Sequence, residues 1–143
     1  MNDSPIELLH VEDNAGDVFL LQRAFQQCNP KYKIHVVSDG QEALAFLRQE
    51  DAYEKAPRPK FILLDLNLPR LSGLEVVRTI KKDPELKTIP VVVMTGSTNR
   101  DDILKAYDAG ANCYVTKPFD VKELAALASA LEGFWIKTAS LPH

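Results

Sequence analysis

Short apolar runs alternate with amphipathic stretches along the whole chain. Ile6–Val11, Lys33–Val37, Lys60–Leu64, Val91–Met94 and Cys113–Thr116 read as strands. The fourth is apolar throughout and the third is apolar after Lys60, the pattern of strands covered on both faces. Asp17–Cys28 places Val18, Leu21 and Phe25 on one helical face, and Gln41–Gln49 carries Ala43, Leu44 and Leu47. Ser72 and Glu75 have the spacing of a capping box that opens a helix running to Lys82. Asp101–Ala109 is a fourth helix. A fifth runs from Val121 to about Lys137, with Asp120 and Glu123 as its N-terminal signature. Five strand–helix units in succession predict a mainly parallel sheet with helices on both faces. Glu50–Pro59, with Pro57 and Pro59, reads as a surface loop rather than a domain boundary. Residues 1–143 are therefore expected to form one α/β domain, with its core over about 6–137 and a short C-terminal tail.

A hydrophobic fraction of 45% and a charged fraction of 26% exclude a disordered chain, a collagen and a coiled-coil rod. The net charge is −3, and Lys81-Lys82 is the only adjacent basic pair, so no nucleic-acid footprint is expected. No apolar run approaches the length of a membrane span. Met1-Asn2-Asp3-Ser4-Pro5 lacks the basic and apolar regions of a secretory signal. Cys28 and Cys113 are too few for a disulfide framework, which predicts reduced thiols in a cytoplasmic protein.

The chemistry lies at the strand ends. In an open parallel sheet, ligands bind beyond the carboxyl ends of the strands, where the strand order reverses. The first strand ends in Glu12-Asp13 and the third in Asp65. In a doubly wound, flavodoxin-like order, 2-1-3-4-5, those ends are neighbours. Three carboxylates in one pocket raise each other's pKa unless something neutralises them. A partly hydrated Mg²⁺ with oxygen ligands does so. Asp13 taken alone reads equally well as a helix cap, as does Asn14. Asp65 does not, since Leu66-Asn67-Leu68-Pro69 separates it from the next helix. The fourth strand ends in Thr95-Gly96-Ser97 and the fifth in Thr116-Lys117-Pro118. Separately, Thr95 reads as a turn cap and Lys117 as a surface lysine. Together they suit a phosphoryl group on a carboxylate, with the ammonium and the hydroxyl each bonding a phosphoryl oxygen.

These residues resemble a response-regulator receiver domain. The matching positions are Glu12-Asp13, Asp65, Thr95 and Lys117-Pro118, with Leu68-Pro69-Arg70-Leu71-Ser72-Gly73 as the loop after the acceptor and Tyr114 at the aromatic switch position. Thirty residues separate Asp65 from Thr95 and twenty-two separate Thr95 from Lys117, the common receiver spacing. The resemblance covers about Ile6 to Trp135. Within the family the chain is similar to stand-alone regulators paired with bacterial and cyanobacterial phytochromes. The Tyr53–Pro59 loop, the Leu64–Pro69 run, and Phe134-Trp135 followed by Leu141-Pro142 carry that likeness.

The resemblance implies that Asp65 accepts a phosphoryl group from a sensor histidine kinase, here a phytochrome-type photoreceptor kinase. It implies that Asp13, Asp65 and the Asn67 carbonyl bind Mg²⁺, with Glu12 reaching the metal through water. Lys117 and Thr95 would contact the phosphoryl group. Thr95 and Tyr114 would form the switch, and Asn67 and Ser97 would tune a slow autodephosphorylation. Pro118 would follow a cis peptide. The protein catalyses nothing beyond its own phosphoryl transfer and loss. With no effector expected after Trp135, output is a protein contact, a change of oligomer, or onward transfer to a histidine phosphotransfer protein. Val121, Leu124, Ala128, Leu131, Phe134 and Trp135 make the last helix apolar on more than one side. This predicts a partner surface and a homodimer through the fourth helix, fifth strand and fifth helix. In the other reading Phe134 and Trp135 cover their own core. Asn14 to Val18 is the expected kinase-docking rim, and His10 a packed strand residue.

Three rivals remain at this level. An FMN binder of the same topology needs a Ser/Thr/Gly-rich phosphate loop where Glu12-Asp13-Asn14 stands. A haloacid-dehalogenase-like phosphatase wants an acid two residues beyond its nucleophile, where Asn67 stands. A phosphorylation-independent interaction module would not need the intact pocket.

Overall fold

The computed structural model describes residues 5–117, 120–138 and 140–142. Five strands alternate with five helices: β1 (Ile6–Val11), α1 (Ala15–Cys28), β2 (Tyr32–Val37), α2 (Gly40–Arg48), β3 (Phe61–Leu64), α3 (Gly73–Lys82), β4 (Val91–Thr95), α4 (Arg100–Asp108), β5 (Cys113–Thr116) and α5 (Val121–Leu131). The sheet order is β2-β1-β3-β4-β5, with every neighbouring pair parallel. This is the expected doubly wound sheet. No helix among the described residues is long and apolar enough to cross a membrane.

Strand alternation divides the core in two. Leu9, Val11, Ile62, Leu64, Val91 and Val93 pack with Val76, Val77 and Ile80 of α3 and with α2. Leu8, Phe61, Leu63, Val92 and Met94 point the other way, against Leu21 and Phe25 of α1 and Leu124, Ala128 and Leu131 of α5. Both faces of the sheet are therefore covered, which is why β3 and β4 are solidly apolar.

The helix starts follow the side-chain caps. Asn14 Oδ1 accepts from the Asp17 N–H (2.9 Å), so α1 begins at Ala15, ahead of the Asp17 start read from periodicity. Ser72 Oγ accepts from the Glu75 N–H (3.3 Å) and Asp120 Oδ1 from the Glu123 N–H (2.7 Å), as expected. The loop after α2 holds a 3₁₀ turn at Asp51–Tyr53. Tyr53 packs on Phe46 (5.5 Å between ring centroids), and the Arg58 guanidinium donates to the Leu47 carbonyl (3.0 Å).

The last helix departs from expectation. It is α-helical only to Leu131, and Glu132–Thr138 continues as a wider π-helix. Gly133, a weak helix former, stands where the winding changes, and the Thr138 hydroxyl donates to its carbonyl (2.7 Å). The turn brings Glu132 inside, where its carboxylate accepts from the Cys28 thiol (3.2 Å). Burial and then Glu132 push that thiol's pKa up. Neither Cys28 nor Cys113 forms a disulfide.

The apolar residues of this helix do not form one exposed surface. Leu124, Ala128 and Leu131 are buried in the core, which corrects their assignment to an interface. They lie four and three residues apart, the spacing of one helical face, and that face meets the sheet and α1. Val121 and Phe134 are 60% and 55% exposed. Trp135 is half-buried against the core, with Phe134 edge-on to it (5.1 Å between centroids).

Candidate functional site

The ends of β1, β3, β4 and β5 meet along one rim of the sheet, and backbone hydrogen bonds fix how they meet. The Asp65 N–H donates to the Val11 carbonyl (3.1 Å), carrying the β1–β3 pairing one residue past the strand. The Lys117 N–H donates to the Thr95 carbonyl (2.7 Å), which does the same for β4 and β5. The acids and the lysine are therefore placed by sheet register, not by free loops.

Glu12, Asp13 and Asp65 each offer a carboxylate oxygen within 4.8 Å of the others. Asp65 is buried, Glu12 more so, and Asp13 is exposed. The Asp65 Oδ1 accepts from the Asn67 N–H (3.0 Å) and its Oδ2 from Lys117 (3.0 Å). Glu12 has both oxygens engaged, Oε1 by Lys117 (2.7 Å) and Oε2 by the Asn14 N–H (3.3 Å). Such a set of hard oxygen donors fits a hard divalent cation.

Lys117 is the hub. Its Nζ donates to Glu12, to Asp65, and to Asp17 Oδ2 (2.8 Å), so all three ammonium protons are used. Burial alone would lower its pKa, but the bonds to Asp17, Glu12 and Asp65 outweigh this and hold it above lysine's ordinary value. Burial pushes the Glu12 carboxyl up to about 7; Asp65 adds to the rise and Lys117 opposes it. Burial, more than the crowding of acids expected from the sequence, is therefore the source of this proton affinity, with Asp65 a smaller contributor.

Thr95 is almost fully buried and its Oγ1 has no hydrogen-bond partner among the described residues. A buried hydroxyl without a partner is costly. Tyr114 is half-buried; its hydroxyl donates to the Ser97 carbonyl (2.8 Å), and its N–H donates to the Tyr107 hydroxyl (3.1 Å). The Ser97 hydroxyl donates to Asp102 (2.6 Å) and accepts from the Asn99 N–H (3.2 Å), so it is tied into the start of α4. The Asn67 side chain is exposed. Pro118 and the expected cis bond before it lie outside the described residues.

Two further residues lie near the site. The sequence places Asp17 at the start of a helix and within the expected kinase-docking rim, but does not reveal that it is a direct partner of Lys117. Its signal was an acid four residues after Asp13, one turn into α1, where side chains lean back toward the helix start. His10 is buried in β1, with Nδ1 unpartnered among the described residues. Burial first, then the charge of Lys117, lowers its pKa to about 4, so the imidazole is neutral at pH 7. That agrees with a packed strand residue.

Gly73 holds the acceptor's backbone in place. A Cβ there would lie 2.6 Å from both the Asp65 carbonyl oxygen and the Leu66 Cα. Gly73→Ala is therefore expected to destabilise the fold by about 1–3 kcal/mol through overpacking against rigid backbone. Urea denaturation measures it, and Gly96→Ala, where an added Cβ meets nothing within 4 Å, serves as the control.

The response regulator receiver domain family matches residues 8–129. Response regulator Rcp1 of Synechocystis sp. is 43% identical over 141 residues, covering 99% of this chain and 96% of that protein. The structure of the phosphorylated cyanobacterial phytochrome response regulator RcpA matches with a TM-score of 0.92 at 46% identity, covering 98% of this chain and 100% of that one. The Mn²⁺-bound form of Rcp1 matches with 0.88 at 43% identity, covering 97% and 100%. A parallel sheet that brings two acids, a third acid, a buried threonine and a lysine to one rim, matched over nearly its full length, makes this chain a member of the response regulator receiver family, the receivers of two-component signalling.

Proposed function

We propose that Asp65 takes a phosphoryl group from a phosphohistidine on a sensor histidine kinase, and that the modified protein signals through a changed surface. The observation that carries this reading is the pairing of Asp65 Oδ2 with the Lys117 ammonium (3.0 Å) on the rim where β4 ends in a buried Thr95 whose hydroxyl has no partner among the described residues. An oxygen of Asp65 attacks phosphorus, the phosphorus–nitrogen bond breaks, and its electron pair returns to the imidazole. Lys117 and Thr95 then each bond a phosphoryl oxygen. Mg²⁺ held by Asp13, Asp65 and the Asn67 carbonyl, with Glu12 reaching it through water, would supply positive charge that offsets both the acids and the phosphoryl oxygens.

Phosphorylation adds roughly −1.5 to −2 charge at the rim. As Thr95 turns to its new acceptor, the β4–α4 loop follows, and the Tyr114 hydroxyl bond to Ser97 carries the change to β5 and α4. Reversing a population from mostly inactive to mostly active takes about 5.5 kcal/mol of differential stabilisation. With the Ser97 hydroxyl committed to Asp102 and the Asn67 side chain neutral, neither position supplies a base for attacking water. Autodephosphorylation is accordingly slow.

The name of RcpA ties that relative to a phytochrome. On that likeness the donor is a phytochrome-type kinase and the protein works in the cytoplasm. Leu104 and Tyr107 of α4, with Val121 and Phe134, are exposed apolar residues. They suit a homodimer through the α4, β5 and α5 side; a histidine phosphotransfer protein is the other outlet. The test presents the purified chain, with Mg²⁺, to radiolabelled histidine kinases of the host. Label is expected to pass from a phytochrome-type kinase and to be lost with EDTA, and sedimentation should show a dimer. Transfer from no kinase rejects the reading; a monomer in both states rejects the dimer.

A further inference from the structure

Lys117 has three protons to donate, and three carboxylates take them. A phosphoryl group on Asp65 takes over the bond that Asp65 now receives and, with roughly −1.5 to −2 charge spread over several oxygens in place of one carboxylate charge, competes for a second ammonium proton. The three partners are not equivalent. The Glu12 side chain is 1% exposed and Asp65 8%, whereas Asp17 is 43% exposed. Stripping Lys117 from Glu12 leaves a buried charge uncompensated, which is strongly unfavourable. Asp17 loses much less, because water takes the place of the ammonium.

Asp17 is also independently anchored. Its N–H is capped by Asn14 Oδ1 (2.9 Å), and as an acid in the first turn of α1 it is favoured by the helix dipole. The Asp17 main chain is therefore fixed independently of Lys117, while its carboxylate is free to turn to water when the ammonium leaves. Through Lys117 it links the start of α1 to the end of β5.

We propose that Asp17 is a positioning residue that competes with the phosphoryl group for Lys117: it holds one ammonium proton in the unmodified protein, yields it when Asp65 is phosphorylated, and so weakens the phosphorylated state. The proposal rests on Asp65 being the acceptor. It makes the start of α1 responsive to phosphorylation, since its bond to the β5 end exists only before the group arrives. A neutral side chain at position 17 leaves Lys117 one fewer competitor.

The test uses the full chain as wild type, Asp17→Asn and Asp17→Ala, the alanine covering the case in which asparagine still bonds Lys117. Each is titrated with beryllofluoride at saturating Mg²⁺, followed by fluorine NMR, and separately with Mg²⁺ alone, followed by the Asn67 amide resonance. Both variants are expected to bind beryllofluoride about two- to fivefold tighter, the scale of one partly exposed ion pair. Mg²⁺ alone should bind no tighter than to wild type, because a nearby negative charge is gone. A general folding defect weakens both ligands, so the opposed directions separate the two explanations. Unchanged or weaker beryllofluoride binding in both variants overturns the proposal. No beryllofluoride binding by wild type instead overturns Asp65 as acceptor.

Discussion

Asp65→Asn is expected to reduce phosphoryl incorporation from acetyl phosphate or a cognate kinase to background, a fall of about a thousandfold or more, as for the loss of a nucleophile. The amide keeps the shape of the carboxylate. Its oxygen can still accept from the Asn67 N–H or from Lys117, which Asp65 now receives at 3.0 Å each. The fold should therefore survive, and loss of label would report chemistry, not unfolding. Stability provides a second readout. Asp65 repels Glu12, whose proton affinity it helps to raise, while Lys117 retains Glu12 and Asp17 as partners. Without divalent metal the variant should be as stable as wild type or more stable by about 1 kcal/mol. Added Mg²⁺ should stabilise wild type more, because wild type offers it one more acid. Labelling of the variant at the wild-type level would remove Asp65 from the mechanism.

Much of this fold was legible because its determinants are local. β1 and β5 have the bounds read from the apolar runs, Ile6–Val11 and Cys113–Thr116. The caps at Ser72 and Asp120 set the starts of α3 and α5 as their spacing indicated. The site was legible for a different reason. Glu12, Asp65, Thr95 and Lys117 terminate strands, so sheet order alone brings them to one edge. Asp17 escaped because its partner is a hundred residues away and is chosen by the packing of α1 beside β5. The faces of α5 escaped because Leu, Ala, Val and Phe surround that helix, and hydrophobicity alone does not say which stripe meets the sheet. Glu132 is the converse case, an acid in the last helix that the widened winding turns inward beside Cys28.

Lys117→Ala should be the most damaging single change at this rim. In wild type one ammonium offsets Glu12, Asp17 and Asp65, and two of those side chains are less than 10% exposed. Removing it leaves buried carboxylates facing one another, and breaking such a buried pair costs about 3–5 kcal/mol. The partial exposure of Lys117 and Asp17 places the expected loss at the lower end, about 3 kcal/mol by urea denaturation without metal. Saturating Mg²⁺ should return part of it, since the acids freed of the ammonium bind the ion more tightly than in wild type and that extra affinity adds to the variant's stability. Acid should help as well, and the sign follows from Glu12. Its carboxyl already sits near 7 in the fold against an ordinary 4.5, and without the lysine's pull it moves higher. Between those values the folded state holds a proton that the unfolded state has lost, so lowering the pH through that window favours folding. His10 runs the other way: its depressed pKa near 4 makes acid destabilising below its ordinary 6.5. The burial of His10 is common to both proteins and drops out of the difference, while losing the Lys117 charge leaves its pKa less depressed, so acid harms the variant less and acts in the same direction as Glu12. That difference should shrink from pH 7 to pH 5, and shrink again with Mg²⁺, while beryllofluoride binding stays weakened at least about tenfold for want of the ammonium. A variant as stable as wild type at pH 7 without metal would mean that the three carboxylates do not depend on Lys117 for their neutralisation.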